Sequence, residues 1–281
     1  MTPHQNTPAG AARVVGVCVV LLGLALGCSR STPTKPTETV RVAAIQFSDV
    51  DADEVESDCD PEDRNCALEA LVREAAEEGA ALVVLPEYGL SQPDAEELPS
   101  KKGAPPHPSR APIAARFSRL ARELKIFLII NLLTETRGTQ RNTQLVFDRR
   151  GSVLAWHHKF ELFAREKEHL ESGDTVTVFE TPFGRVGLLI CADLYGTPRK
   201  HRRLTHELGA QIVAVSTYWT ATHAHRWPAA FARDWGVYVV ASNAGSGESA
   251  GSGVYAPNGT AVATSGKDDW GVVLADIPVH R

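Results

Sequence analysis

The chain has 281 residues, enough for one large α/β domain or two small ones, and its 43% hydrophobic and 22% charged content is ordinary for a globular protein. A net charge of −5 and the lack of any Lys/Arg run give no footing for nucleic acid. The sequence holds no P-loop, no Cys-x-x-Cys and no His-Glu-x-x-His, so no metal or organic cofactor is expected, and the close pair His223 and His225 reads as surface or pocket rim.

Residues 1–28 read as an export signal. Arg13 supplies positive charge, and 14–27 is an almost unbroken apolar run, short for a membrane span but suited to a signal core. The run ends Leu24-Ala25-Leu26-Gly27-Cys28, which resembles a bacterial lipobox. Two readings stay open: an ordinary signal cleaved nearby, or a lipoprotein signal that leaves Cys28 as an acylated N-terminus. The polar, Pro-containing stretch 29–39 is a flexible tether. A tether directly behind the cysteine favours an exported bacterial membrane lipoprotein, anchored through several acyl chains on Cys28. Cys59 and Cys66 flank an acidic loop; in an oxidising compartment they either pair as a disulfide or remain two surface thiols.

The folded domain is expected over 40–281. A strand runs from Val40 to Phe47, and apolar residues at helical spacing place a helix over Ala67–Gly79. The continuous apolar run Ala81–Leu85 predicts a strand covered on both faces, delivering Pro86-Glu87. Ser91–Pro112 reads as a long loop, Ala114–Leu124 as a helix and Ile126–Leu133 as a strand. A hairpin of Thr143–Asp148 and Ser152–His158 turns at Arg149-Arg150-Gly151 and delivers Lys159. A second strand pair, Val176–Thr181 and Arg185–Ile190, delivers Cys191. Helices Arg199–Leu208 and His225–Trp235 then alternate with strands Gln211–Ser216 and Val237–Ser242, and a strand-rich tail runs from Gly253 to Ile277. Strands alternating with helices argue α/β, and the hairpins argue a mixed sheet.

Glu87, Lys159 and Cys191 share a placement: each follows the end of a predicted strand, where open α/β sheets form ligand sites. A thiol at a strand end before a turn is raised toward a substrate, with backbone N–H groups nearby for an oxyanion. A glutamate behind Leu-Val-Val-Leu-Pro sits near a dry core, where its pKa rises into the range for proton transfer. A lysine beside the cysteine is expected to lower the thiol pKa. Taken singly, Cys191 reads equally as a buried structural cysteine, Glu87 as an ion-pair residue and Lys159 as a surface charge. The three together point to a nucleophile with its acid–base partner. Asn142 and Asn243 read as structural, tying turns to backbone.

Pro86-Glu87, His157-His158-Lys159 and Cys191-Ala192-Asp193 resemble the Glu-Lys-Cys triad of the nitrilase, or carbon-nitrogen hydrolase, superfamily. Lys159-x-x-Leu162-Phe163-x-x-Glu166 is similar to the family pattern of a second glutamate seven residues past the lysine. The stretches 142–151, 179–184, 241–243 and 251–258 resemble the vanin and biotinidase branch, here without that branch's extra C-terminal domain and with Ala192 where the branch has a bulky aromatic. The resemblance implies an α/β fold built as a four-layer α-β-β-α sandwich, with no cofactor. It implies hydrolysis of a non-peptide C–N bond in a small linear amide: Cys191 as nucleophile, Glu87 as acid–base, Lys159 and the Ala192 N–H on the oxyanion, Glu166 in support, and Trp219 lining the acyl pocket. Acyl transfer to an amine and nitrile hydrolysis use the same triad. A non-catalytic, surface-binding lipoprotein is the alternative from another class, and it has no chemical need for all three residues.

Overall fold

A computed structural model describes residues 38–47, 63–90, 92, 94–97, 111–219, 224–245, 251–266 and 270–280. The export signal, Cys28, most of the tether and Cys59 lie outside the described residues; Cys66 is disulfide-bonded.

Two six-membered runs of strands stack face to face. In the first, β13 (Trp270–Pro278), β1 (Thr39–Phe47), β2 (Leu82–Val84), β4 (Phe127–Thr136), β5 (Thr139–Phe147) and β6 (Val153–His158) lie in that spatial order, with the short β3 (Glu96–Glu97) beside β4. In the second the order is β12 (Ala261–Thr264), β11 (Gly253–Tyr255), β10 (Tyr238–Asn243), β9 (Ile212–Thr217), β8 (Gly184–Ile190) and β7 (Val178–Thr181). The centres, β1-β2-β4 and β8-β9-β10, are parallel and the flanks antiparallel.

The period-two alternation of each strand decides what it faces. In β1, Val42 and Ala44 enter the core between the sheets, where they meet Leu188 and Ala214 of the second sheet. Ala43, Ile45 and Phe47 point the other way, against Leu68, Leu71 and Val72 of α1 (Arg64–Glu77) and Phe117 and Leu120 of α2 (Pro112–Leu124). In the second sheet, Val213 and Val215 pack outward with Leu204 and with Phe231 of α5 (Arg226–Trp235). The middles of the central strands therefore carry apolar residues on both faces, as their apolar runs predict, and the four layers are helix, sheet, sheet, helix. Each fully buried Leu, Ile, Val or Phe contributes about 1.5–3 kcal/mol.

Local chemistry sets the ends. Asp63 caps α1 by accepting from the Cys66 N–H at 3.1 Å. Glu96 reaches across to cap α2, accepting from the N–H groups of Ile113 and Ala114 at 2.5 and 3.0 Å. The expected loop 91–112 thus contains a strand residue with a task at its far end. Two further corrections concern strands. The first strand begins at Thr39, inside the expected tether. The β4–β5 hairpin runs out to Thr136 and Thr139 around Arg137-Gly138, well past the predicted end at Leu133. Residues 134–142 are polar and gave no apolar alternation; the hairpin tip is held by its backbone ladder, and the buried Thr134 and Asn142 make polar contacts instead of apolar ones. The segment from Pro198 is a helix, α4 (Pro198–Arg202), which widens into a π turn at Arg203–Glu207.

At one end of the sandwich the two sheets are joined by polar contacts. Ser216 Oγ donates to the Leu85 carbonyl at 2.7 Å, Gln144 Nε2 donates to Ser216 Oγ at 2.9 Å, and the Glu87 N–H reaches the Thr217 carbonyl at 3.3 Å. No helix among the described residues is long and apolar enough to cross a membrane.

Candidate active site

Three chain segments converge at that polar end. Past β2, Leu85 and Pro86 carry Glu87 inward, and the following Tyr88 turns the chain in the left-handed region at φ 53°. Past β6, the Lys159 N–H donates to the Asn142 carbonyl at 2.9 Å, prolonging the ladder and pointing the side chain under the sheet edge. Past β8, Cys191 opens a 3-10 turn, Cys191–Tyr195, with φ 45°. A left-handed backbone at a non-glycine residue costs about 1–3 kcal/mol and persists where the surroundings over-determine it. Here it lifts the thiol out of the strand line.

The side chains meet. Lys159 Nζ donates to Glu87 Oε1 and to Glu166 Oε2, both at 2.7 Å, with Glu87 and Lys159 only 1% and 2% exposed. The Cys191 thiol lies within electrostatic reach of Glu87, Lys159 and the Tyr218 backbone. Glu166 sits in the short helix α3 (Glu166–His169), held by the Phe163 N–H at 2.8 Å and the Tyr88 hydroxyl at 2.6 Å. Asn142 Nδ2 donates to Glu87 Oε1 at 2.8 Å and to Glu166 Oε1 at 3.0 Å. Asn142 itself is oriented by Asn131, whose Nδ2 donates to Asn142 Oδ1 at 2.7 Å. The reading of Asn142 as a turn residue is therefore corrected: it lies mid-strand and bridges the two carboxylates. Its type alone carried no such signal. Asn243 does tie backbone, accepting from the Trp219 N–H at 2.8 Å.

Burial dominates the electrostatics. It raises the Glu87 carboxyl above the ordinary carboxylate range, against the pull of the Lys159 ammonium. Burial opposes the charge on Lys159, but Glu87, the Cys191 sulfur and Glu166 outweigh it and hold the amine above its ordinary value. Burial and the neighbouring Glu87 carboxylate push the Cys191 thiol well up, and Lys159 does not reverse this. As expected, the lysine does pull the thiol pKa down, but burial and the Glu87 carboxylate outweigh it. Burial thus opposes charge on both Glu87 and Cys191.

Ala192, 8% exposed, follows Cys191 in the turn. Trp219, 5% exposed, stands across from it, its ring centroid 6.1 Å from Tyr195 and 5.0 Å from Trp227, whose rings are 4.9 Å apart. Cys191 and Trp219 belong to one apolar cluster, with Trp227 packed against it. No group of three or more His, Cys, Asp or Glu among the described residues is arranged to hold a metal ion.

A four-layer α-β-β-α sandwich with a buried Glu, Lys and Cys at one end of its paired sheets is the architecture of a thiol-nucleophile hydrolase class. The chain belongs to the carbon-nitrogen hydrolase family, whose description matches residues 38–281. It is 28% identical over 231 residues to the Homo sapiens pantetheine hydrolase VNN2, a match that covers 69% of this chain and 44% of that protein. It is 30% identical over 230 residues to the Xenopus tropicalis omega-amidase NIT2, covering 75% of this chain and 81% of the relative. Among solved structures, an amidase from Nesterenkonia sp. shares the fold at TM-score 0.69 and 23% identity, covering 88% of this chain and 94% of its own. The chain spans less than half the length of the pantetheine hydrolase it matches.

Proposed function

We propose that this chain hydrolyses a small linear amide through a Cys191 acyl-enzyme. One observation carries the reading: the buried Glu87–Lys159 ion pair, which shares its electrostatic environment with the Cys191 thiol. Glu87 takes the thiol proton as sulfur attacks the amide carbonyl, and the carbonyl oxygen becomes an oxyanion beside Lys159 and the Ala192 N–H. Glu87 returns the proton to the leaving amine, the C–N bond breaks, and a thioester remains on Cys191. Water then enters, Glu87 removes its proton, and the acid leaves as the thiol is re-formed. Glu166 and Asn142 keep Lys159 and Glu87 in register throughout. Homology to pantetheine hydrolase and omega-amidase supports a small amide, with Trp219, Tyr195 and Trp227 against its acyl part.

The test incubates the protein with a panel of linear amides, including pantetheine and biocytin, and follows amine or ammonia release with Cys191→Ala and Glu87→Gln as controls. Loss of about 100- to 10,000-fold in Glu87→Gln fits removal of a general base. Release that persists in Cys191→Ala, or no release from any amide, would count against the proposal.

The N-terminal sequence supports export and a lipid anchor at Cys28, which would hold the enzyme on the outer side of a bacterial membrane. Cys28→Ser is expected to shift the protein from the membrane fraction to the soluble fraction. Unchanged fractionation would remove the anchor from the proposal.

A further inference from the structure

We infer that Asp193 is the positioning residue that fixes the Cys191 turn and the Lys159 loop against each other. The inference rests on the amidase reading above only for the reaction it measures. Asp193 is fully buried, two residues past the thiol. Its Oδ1 accepts from the N–H groups of Phe160 and Glu161 at 3.0 and 2.8 Å, the two residues directly after Lys159. Its Oδ2 accepts from the N–H of Ile190 at 3.0 Å, the residue directly before Cys191, and from His157 Nε2 at 2.9 Å. One carboxylate thus gathers three backbone donors and an imidazole from both segments that deliver the reacting groups.

The geometry leaves little slack. The bond to Ile190 closes the turn across Cys191 and holds its left-handed backbone. The Asp193 carbonyl in turn accepts from His201 Nε2 at 2.6 Å and from the Gly196 N–H at 3.1 Å, securing the far side. A Cβ on Gly196 would lie 2.8 Å from the Glu161 side chain and 2.9 Å from the Asp193 carbonyl, so the turn packs closely on the side chains of the Lys159 loop. His157, two residues before Lys159, spends its Nε2–H on the carboxylate, while its buried Nδ1 has no hydrogen-bond partner. With Nδ1 idle, the ring's polar role here is to orient Asp193. Charge-assisted bonds of this kind are shorter and stronger than neutral ones.

An Asn at 193 keeps the shape but presents an NH2 group to donors on one side. Asp193→Asn is expected to lower kcat about 100-fold with KM nearly unchanged, since small misplacement of reacting groups costs rate rather than affinity. It should also slow iodoacetamide labelling of Cys191 at pH 7.5 in folded protein, because the thiol no longer meets its base. His157→Leu removes the fourth donor and should slow labelling about tenfold, with His157→Gln, which can still donate to Oδ2, restoring most of it. These His157 variants carry the test if Asp193→Asn does not fold. Wild-type labelling rates in Asp193→Asn, or equal rates in the Leu and Gln variants at position 157, would overturn the inference. Labelling that follows these expectations in a protein that hydrolyses no amide would instead sink the amidase reading and leave the positioning role intact.

Discussion

Asn142 holds Lys159 and sets its distance from Glu87: its carbonyl accepts the Lys159 N–H at 2.9 Å while its side chain donates to Glu87 at 2.8 Å. A single strand residue therefore fixes the lysine by backbone and the glutamate by side chain. Asn142→Ala leaves both carboxylates one donor short in a buried site, which costs about 1–3 kcal/mol. The expected outcome is a lower urea midpoint together with a tenfold or greater loss of kcat/KM on the best amide, about what such an energy implies. Unaltered kinetics in a folded variant would place Asn142 outside the machinery.

Among the described residues Lys159 is the counter-charge shared by the buried Glu87 and the partly buried Glu166. Lys159→Met should abolish turnover and destabilise the fold by about 3–5 kcal/mol, because it strands those charges. Adding Glu166→Gln should recover part of the thermal midpoint and none of the activity. Recovery of neither, measured by calorimetry beside the amide assay, would mean that the pair does not balance the site.

Activity should show an acid limb set by Glu87. Burial raises this carboxyl above its ordinary 4.5, and the reaction needs its unprotonated form to accept the thiol proton. kcat/KM therefore rises with pH through a value above 4.5. A limb at or below that value, in a profile measured from pH 3.5 to 8, would mean that Glu87 is not held in a dry site.

His158 gives a separate pH dependence, in stability. Burial, with Arg141 and His157 nearby, pushes its imidazole down to about 4 from 6.5, and its Nδ1 lies 2.8 Å from Thr143 Oγ1. A depressed folded-state value means the native state favours the neutral ring. The contribution is complete above pH 6.5 and is lost as pH falls toward 4. Urea unfolding should show the wild type losing up to about 3 kcal/mol more than His158→Gln across that window. Parallel curves for the two proteins would assign the acid sensitivity elsewhere.

The strands were legible where they are buried on both faces. Ala81–Leu85, Val186–Ile190 and Ile212–Val215 are unbroken apolar runs because each strand has a sheet on one side and helices on the other. The outer half of the β4–β5 hairpin was not, because Thr134–Asn142 is polar and owes its conformation to backbone pairing. The same logic separates the site residues. Glu87, Lys159 and Cys191 are visible because a charged or reactive side chain right after an apolar run is out of place. Asp193 and His157 stand inside the motifs but nothing local shows what they bond to, and Asn142 lies in a polar strand where nothing local marks it.

The order of residues along the chain thus determined most of the elements, the family and the three candidate site residues, since each depends on local pattern or on motif. Tertiary structure alone decided the protonation balance and the bracing. Burial depth, the sharing of Lys159 between two carboxylates, and the four donors on Asp193 all arise between segments from different strands. Desolvation and hydrogen-bond geometry are properties of that convergence, and no single stretch of sequence contains them.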